Sequence, residues 1–199
     1  MDIVCLDLEG VLVPEIWIEF ADAAGIEELK RTTRDEPDYA KLMQYRLDIM
    51  NAHGLTIGAV QEVIATIEPM DGAREFLDEL RSQVQVIIVS DTFVQFAKPL
   101  MQKLGWPTIF CNELIVGPDG TIQGYRMRKA EKKEQVIALL QQIGFQTIAA
   151  GDSHNDLGMI QASKAGFLFR TTPELKTSHP EIPALETYEE LLTAIEQNL

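Results

Sequence analysis

The sequence predicts an α/β fold, with a parallel sheet covered by helices on both faces. Short apolar runs of strand length recur at residues 3–6, 84–89, 108–111, 147–150 and 166–169. Helical hydrophobic spacing fills most of the intervals between them. Gly105 and Gly144 follow two of those helical stretches, where a left-handed residue ends a helix. This alternation sends each crossover helix back over the sheet and aligns the strands in parallel.

The first run, Ile3-Val4-Cys5-Leu6, is apolar throughout, as a strand buried on both faces must be. Helices between strands are expected at 72–81, 93–104, 133–143 and 155–162, with a final helix at 188–197. Residues 113–116 and 121–125 flank Gly117-Pro118-Asp119-Gly120 and read as a β-hairpin outside the main sheet. One interval breaks the alternation. Between Val13 and Met70 there is only helical pattern, at 15–24, 39–51 and 57–67, which is too much chain for a simple crossover. It reads as a small helical cap, residues 14–69, inserted after the first strand into a core made of 1–13 and 70–199. A cap over the C-terminal edge of the sheet would close on a substrate and exclude water.

Composition narrows the function. The 199 residues are 46% hydrophobic, enough for one compact domain with a modest insertion. With 17 basic against 31 acidic residues the net charge is −14, which argues against nucleic acid and against anionic membrane surfaces as partners. An anionic small molecule fits only where local positive charge overrides that field. Cys5 and Cys111 lie in apolar runs and read as small buried hydrophobes, with no zinc-type spacing. No stretch reaches transmembrane length and Met1-Asp2 leads straight into a strand, so a reduced, cytoplasmic protein is expected.

The chemistry-bearing residues gather where strands end. Asp7 and Glu9 follow the first strand, two residues apart, with Gly10 releasing the chain into a loop. That edge of an open parallel sheet is where ligands bind. Two like charges there call for a cation, a phosphate site or a shared proton, although the segment alone reads equally as a solvated acidic loop. The strand at 146–150 runs into Gly151-Asp152-Ser153-His154-Asn155-Asp156, a second acidic cluster. Aspartates from two strand ends make a hard oxygen site suited to Mg²⁺; the alternative is that Asp152 or Ser153 simply caps the following helix. His154 reads as a solvent-facing loop residue. Ser90-Asp91-Thr92 ends another strand before a helix and offers a hydroxyl and free N–H groups to phosphate, or an ordinary cap. Lys129, Lys132 and Lys133 crowd a helix start, where cations oppose the helix dipole and need something to offset them. In the 39–51 helix, Arg46 interrupts a face made by Tyr39, Leu42, Met43, Leu47 and Met50. An arginine there either snorkels to solvent or faces an anion.

The order of these motifs (acid pair, strand-end hydroxyl, lysine at a helix start, then Gly-Asp-x-x-x-Asp) resembles the haloacid dehalogenase superfamily over nearly the whole chain. The helical insertion resembles the cap of its phosphoserine phosphatases. The resemblance implies a Rossmann-like parallel core carrying a Mg²⁺-dependent phosphotransferase. Asp7 would be the nucleophile, Glu9 the acid–base group, and Ser90 and Lys133 the partners of the phosphoryl oxygens. Asp7, the Glu9 backbone carbonyl and Asp152 would hold Mg²⁺, supported by Asp156. Substrate contacts would come from Glu15 to an amino group, Arg46 to a carboxylate, and Ser90, Asp91, Thr92, Lys133 and Asn155. Two departures stand out: Glu9 and Val11 replace the usual aspartate and threonine, and Asp91-Thr92 replace the glycines that usually follow the serine. Both look like the phosphoserine–homoserine phosphotransferase subgroup, so phosphoserine is the expected donor and homoserine an expected acceptor. The rival readings are a capped phosphatase for another small phosphomonoester and a non-enzymatic aspartyl-phosphate signalling domain.

Overall fold

The computed structural model describes residues 1–32, 35–36 and 38–199, so Thr33, Arg34 and Pro37 of the expected cap lie outside the described residues. Seven strands form one sheet: β1 (Asp2–Leu6), β2 (Gln85–Phe93), β3 (Thr108–Val116), β4 (Ile122–Arg126), β5 (Gln146–Gly151), β6 (Ala165–Phe169) and β7 (Ala184–Leu185). Their spatial order is β4-β3-β2-β1-β5-β6-β7, parallel except for the antiparallel pair β3–β4. The chain therefore leaves β1 in both directions, toward β2 and toward β5, and opens a crevice at their C-terminal ends.

The period of two along β1 divides the core. Val4 and Leu6 join a cluster with Ile88, Ile148, Ala150 and the apolar faces of α4 (Ala73–Gln83), α5 (Val94–Lys103) and α9 (Tyr188–Glu196). Ile3 and Cys5 point the other way, toward α6 (Lys133–Gln142), α7 (Leu157–Ala162) and α8 (Pro173–Ser178). The remaining helices, α1 (Ile16–Ala24), α2 (Tyr39–Ala52) and α3 (Ile57–Ile64), all lie between β1 and α4, with a 3₁₀ turn at Glu27–Lys30. Among the described residues no helix is long and apolar enough to cross a membrane.

Three sequence expectations need correction. The hairpin is not separate from the sheet: β3 runs unbroken from its pairing with β2 into its pairing with β4, so β4 forms the sheet edge. The Ile57 N–H donates to the Gly120 carbonyl at 2.8 Å, which ties the hairpin turn to the start of α3. The helix expected at 155–162 is split into a 3₁₀ turn, His154–Asp156, and α7, because Asp156 folds back onto the Asp152 and Ser153 N–H groups. Cys5 is fully buried, but Cys111 is only half-buried on the outer part of β3.

Close packing on the α7 side is set by Gly166. A Cβ there would lie 2.4 Å from the Ile160 carbonyl oxygen, a backbone atom that moves only with its helix. Gly166→Ala is expected to destabilise the fold by about 1–3 kcal/mol, read as a lower midpoint in urea with an unchanged slope.

Candidate active site

Three strand ends and one helix start build the site. Asp7 continues the β1–β5 pairing, its N–H donating to the Ala150 carbonyl at 3.0 Å, so its carboxylate lies at the crevice between β1 and β5. Lys133 opens α6 and is wholly buried, with Nζ 2.8 Å from Asp7 Oδ1 and 2.6 Å from Asp156 Oδ1. Lys129 and Lys132 are exposed, so Lys133 alone of the three enters the site. The unfavourable position of a cation at a helix start is offset here by two carboxylates.

Both Asp156 oxygens are engaged. Oδ1 takes Lys133, and Oδ2 accepts the N–H groups of Asp152 at 3.1 Å and Ser153 at 3.0 Å. On Asp7, Oδ1 accepts the Leu8 N–H at 2.7 Å as well as Lys133, which leaves Oδ2 for chemistry. Asp152 approaches from β5 over Gly10, whose φ of +75° and missing Cβ make room. A Cβ at Gly10 would stand 2.4 Å from the Asp152 carboxyl carbon. Ligand oxygens of Asp7, Asp152 and Asp156 come within 4.8 Å of one another. This donor set is all oxygen, which suits Mg²⁺.

The electrostatics follow from burial. Desolvation and then the Asp156 charge push Asp7 above the usual carboxylate range, while Lys133 pulls it back. Desolvation and Asp156 raise Asp152 to about 7. Burial alone would lower Lys133, but Asp156 and Asp7 hold it above the ordinary ammonium value. Glu9 is half-buried and is raised to about 7 by desolvation and then by Glu15, and its Oε1 accepts the Ile16 N–H at 2.8 Å at the start of α1.

The β2 end supplies the rest. Ser90 is buried, and its Oγ accepts the Thr92 N–H at 3.2 Å. Asp91 accepts from Arg128 Nη2 at 2.8 Å and from Asn155 Nδ2 at 3.1 Å, so Asn155 spends its amide on Asp91. Arg128 was not among the sequence candidates. It lies two residues after β4 beside Lys129, and only its tertiary contacts distinguish it from its basic neighbours. Glu15 caps no helix with its side chain and is exposed, and His154 is exposed. Arg46 does not snorkel. It is 5% exposed, stacks 4.2 Å above the Trp17 ring, donates to the Arg31 carbonyl at 2.7 Å, and is lowered to about 10 by burial.

The site thus combines a buried carboxylate at a strand end, a lysine on it and an all-oxygen cluster beside it, an arrangement suited to a hydrolase centre. The family model for hydrolases of the haloacid dehalogenase-like type matches residues 1–164, and the chain belongs to that family. Phosphoserine phosphatase ThrH of Pseudomonas aeruginosa is 49% identical over 191 residues, covering 96% of this chain and 93% of that one. A phosphoserine phosphatase of Pseudomonas syringae pv. tomato is 47% identical, covering 96% and 81%. Among solved structures, a phospho-aspartyl intermediate analogue of phosphoserine phosphatase superposes with a TM-score of 0.73 at 26% identity, covering 96% of this chain and 97% of that one.

Removing the cation tests the electrostatics directly. Lys133→Met leaves Asp7 and Asp156 facing each other without a cation between them, and is expected to cost about 3–5 kcal/mol in urea unfolding with EDTA present.

Proposed function

We propose that the chain is a Mg²⁺-dependent phosphoserine phosphatase that works through a phospho-aspartyl intermediate and also transfers the phosphoryl group to homoserine. The observation that carries the reading is Asp7, buried at the end of β1 with Lys133 on one oxygen and the other left open. The similarity to proteins named phosphoserine phosphatase supports the donor, and the ThrH relative supports the subgroup.

In this reading residues 14–69 act as the cap. Asp7 Oδ2 attacks phosphorus, the ester P–O bond breaks, and the leaving serine oxygen takes its proton from Glu9. Glu9 then accepts a proton from water or from the acceptor hydroxyl as that oxygen attacks phosphorus and frees Asp7. A group held near 7 is suited to both directions of proton transfer. The Glu9 oxygen not bonded to Ile16 carries that proton. Ser90 Oγ and Lys133 Nζ neutralise the transferring oxygens. Asp7, Asp152 and the Glu9 carbonyl would hold Mg²⁺, with Asp156 as their brace; bound there, it would neutralise phosphoryl charge. Arg46 takes the substrate carboxylate, Glu15 the ammonium, and Thr92 and Asn155 line the approach.

Release of inorganic phosphate from phosphoserine, lost in EDTA and restored by Mg²⁺, is the direct test. Asp7→Asn should reduce it by several orders of magnitude, and near-normal turnover would overturn the covalent route. Arg46→Ala should impair phosphoserine far more than a phosphate ester without a carboxylate. Equal losses on both would assign Arg46 to folding.

For acceptor choice, homoserine carries serine's ammonium and carboxylate, so the groups that release serine would hold it in place of water. A bound alcohol then gains a large positional advantage over solvent. Phosphorus NMR of the enzyme with phosphoserine and saturating homoserine should show phosphohomoserine and less free phosphate per serine released. Free phosphate alone would leave a plain phosphatase.

A further inference from the structure

The strand β2 is broken where it meets the site. Val89 lies opposite Phe110 of β3 and Phe93 opposite Asn112, so Ser90, Asp91 and Thr92 together face the single residue between, Cys111. A bulge of this kind takes backbone groups out of the ladder, and each needs another partner. Two side chains provide them. Arg128 Nη1 donates to the Ser90 carbonyl at 2.6 Å, and Asn112 Nδ2 donates to the Asp91 carbonyl at 2.9 Å. Asn112 also accepts the Arg128 N–H at 3.0 Å, closing a ring around the bulge.

The second fork of Arg128 meets the Asp91 carboxylate, whose other oxygen holds Asn155. Arg128 is nearly buried, with a side chain 10% exposed, and its Nε has no partner among the described residues. The guanidinium is thus oriented by the bulge at both ends while its middle stays unbonded. Without it, the Asp91 carboxylate would keep only the neutral Asn155 amide and its charge would stand uncompensated next to Ser90, in a site that already contains Asp7, Asp152 and Asp156.

We propose that Arg128 is a positioning residue for the phosphoryl site: it masks the Asp91 charge and pins the Ser90 carbonyl, so that an anionic group approaches Ser90 without repulsion. The inference rests on the reading that Ser90 receives the phosphoryl oxygens. It deepens that reading by explaining how an acid is tolerated immediately after that serine. Asp91 acts through Arg128 and Asn155 and is itself a strut between the β2 and β5 ends.

The test compares Arg128→Gln, Arg128→Lys, Asp91→Asn and the double variant Arg128→Gln/Asp91→Asn, with binding of inorganic phosphate in Mg²⁺ as the readout beside kcat and KM. Arg128→Gln is expected to weaken phosphate about tenfold or more, because a like charge is uncovered on the residue that follows Ser90. KM for phosphoserine should rise more than kcat falls. Adding Asp91→Asn should restore most of the phosphate affinity, and Arg128→Lys should stay nearer to the wild type than Arg128→Gln. Wild-type affinity in Arg128→Gln, or no recovery in the double variant, would overturn the proposal. If Arg128→Gln fails to fold, the double and lysine variants decide it: near-wild-type phosphate binding supports masking and tenfold weaker binding refutes it. Wild-type turnover of phosphoserine judges the substrate separately, since the phosphate comparison among variants stands whichever ester is hydrolysed.

Discussion

The site depends on one buried ammonium. Lys133 Nζ lies between carboxylates from the β1 end and from the segment after β5, and both contacts are shorter than 3 Å. Burying charge is tolerable only when it is paired and hydrogen-bonded, and Asp156 meets that condition with every oxygen occupied. Asp7 meets it through one oxygen, which takes both Lys133 and the Leu8 N–H, in a cluster that also contains Asp152. The cluster therefore keeps an excess of negative charge at the point where the sheet divides, which disfavours anions and favours a hard cation. Under the proposed function a phosphate ester would be bound there only with that charge answered, which would tie a metal, Lys133 and the arginines into one electrostatic problem.

Glycine solves its steric half. Asp152 and Asp156 reach their positions across Gly10 and Gly151, and a Cβ at Gly151 would stand 2.3 Å from the Asp156 carboxyl carbon. These residues are small because carboxylates occupy the space a side chain would fill. The same logic places Gly10 at positive φ, so the chain turns away from β1 immediately after delivering Asp7 and Glu9.

What was legible in the sequence follows from this geometry. Strand ends announce themselves through apolar runs that stop at acids or hydroxyls, so Asp7, Ser90 and Asp152 were readable by position. A cation at a helix start needs an offset, which marked Lys129, Lys132 and Lys133 as a group; the family resemblance pointed to Lys133, and the fold places Lys133 on Asp7 and Asp156. Arg128 was not readable. Its neighbours Arg126 and Lys129 carry the same charge, and what separates it is a bulge in β2, a change of register that leaves no trace in hydrophobic periodicity. The continuity of β3 into the hairpin was hidden for a related reason. Periodicity marks where a strand lies but not which neighbours it hydrogen-bonds, and β3 changes partner along its length, from β2 to β4.

Glu9 shows how far a single methylene reaches. Its backbone is fixed by the turn that Gly10 allows, and its Oε1 sits 2.8 Å from the Ile16 N–H, one of the unsatisfied donors at the start of α1. An aspartate on the same backbone would stop about 1.5 Å short, one carbon–carbon bond, and would leave that donor open. The glutamate thus joins the β1 end to the first helix of the 14–69 interval while keeping its second oxygen free. Glu15, which directly precedes the helix, makes no side-chain cap of its own. The replacement of the usual aspartate is accordingly a change in what the position connects, in which the carboxylate two residues after Asp7 also anchors the helix that follows it.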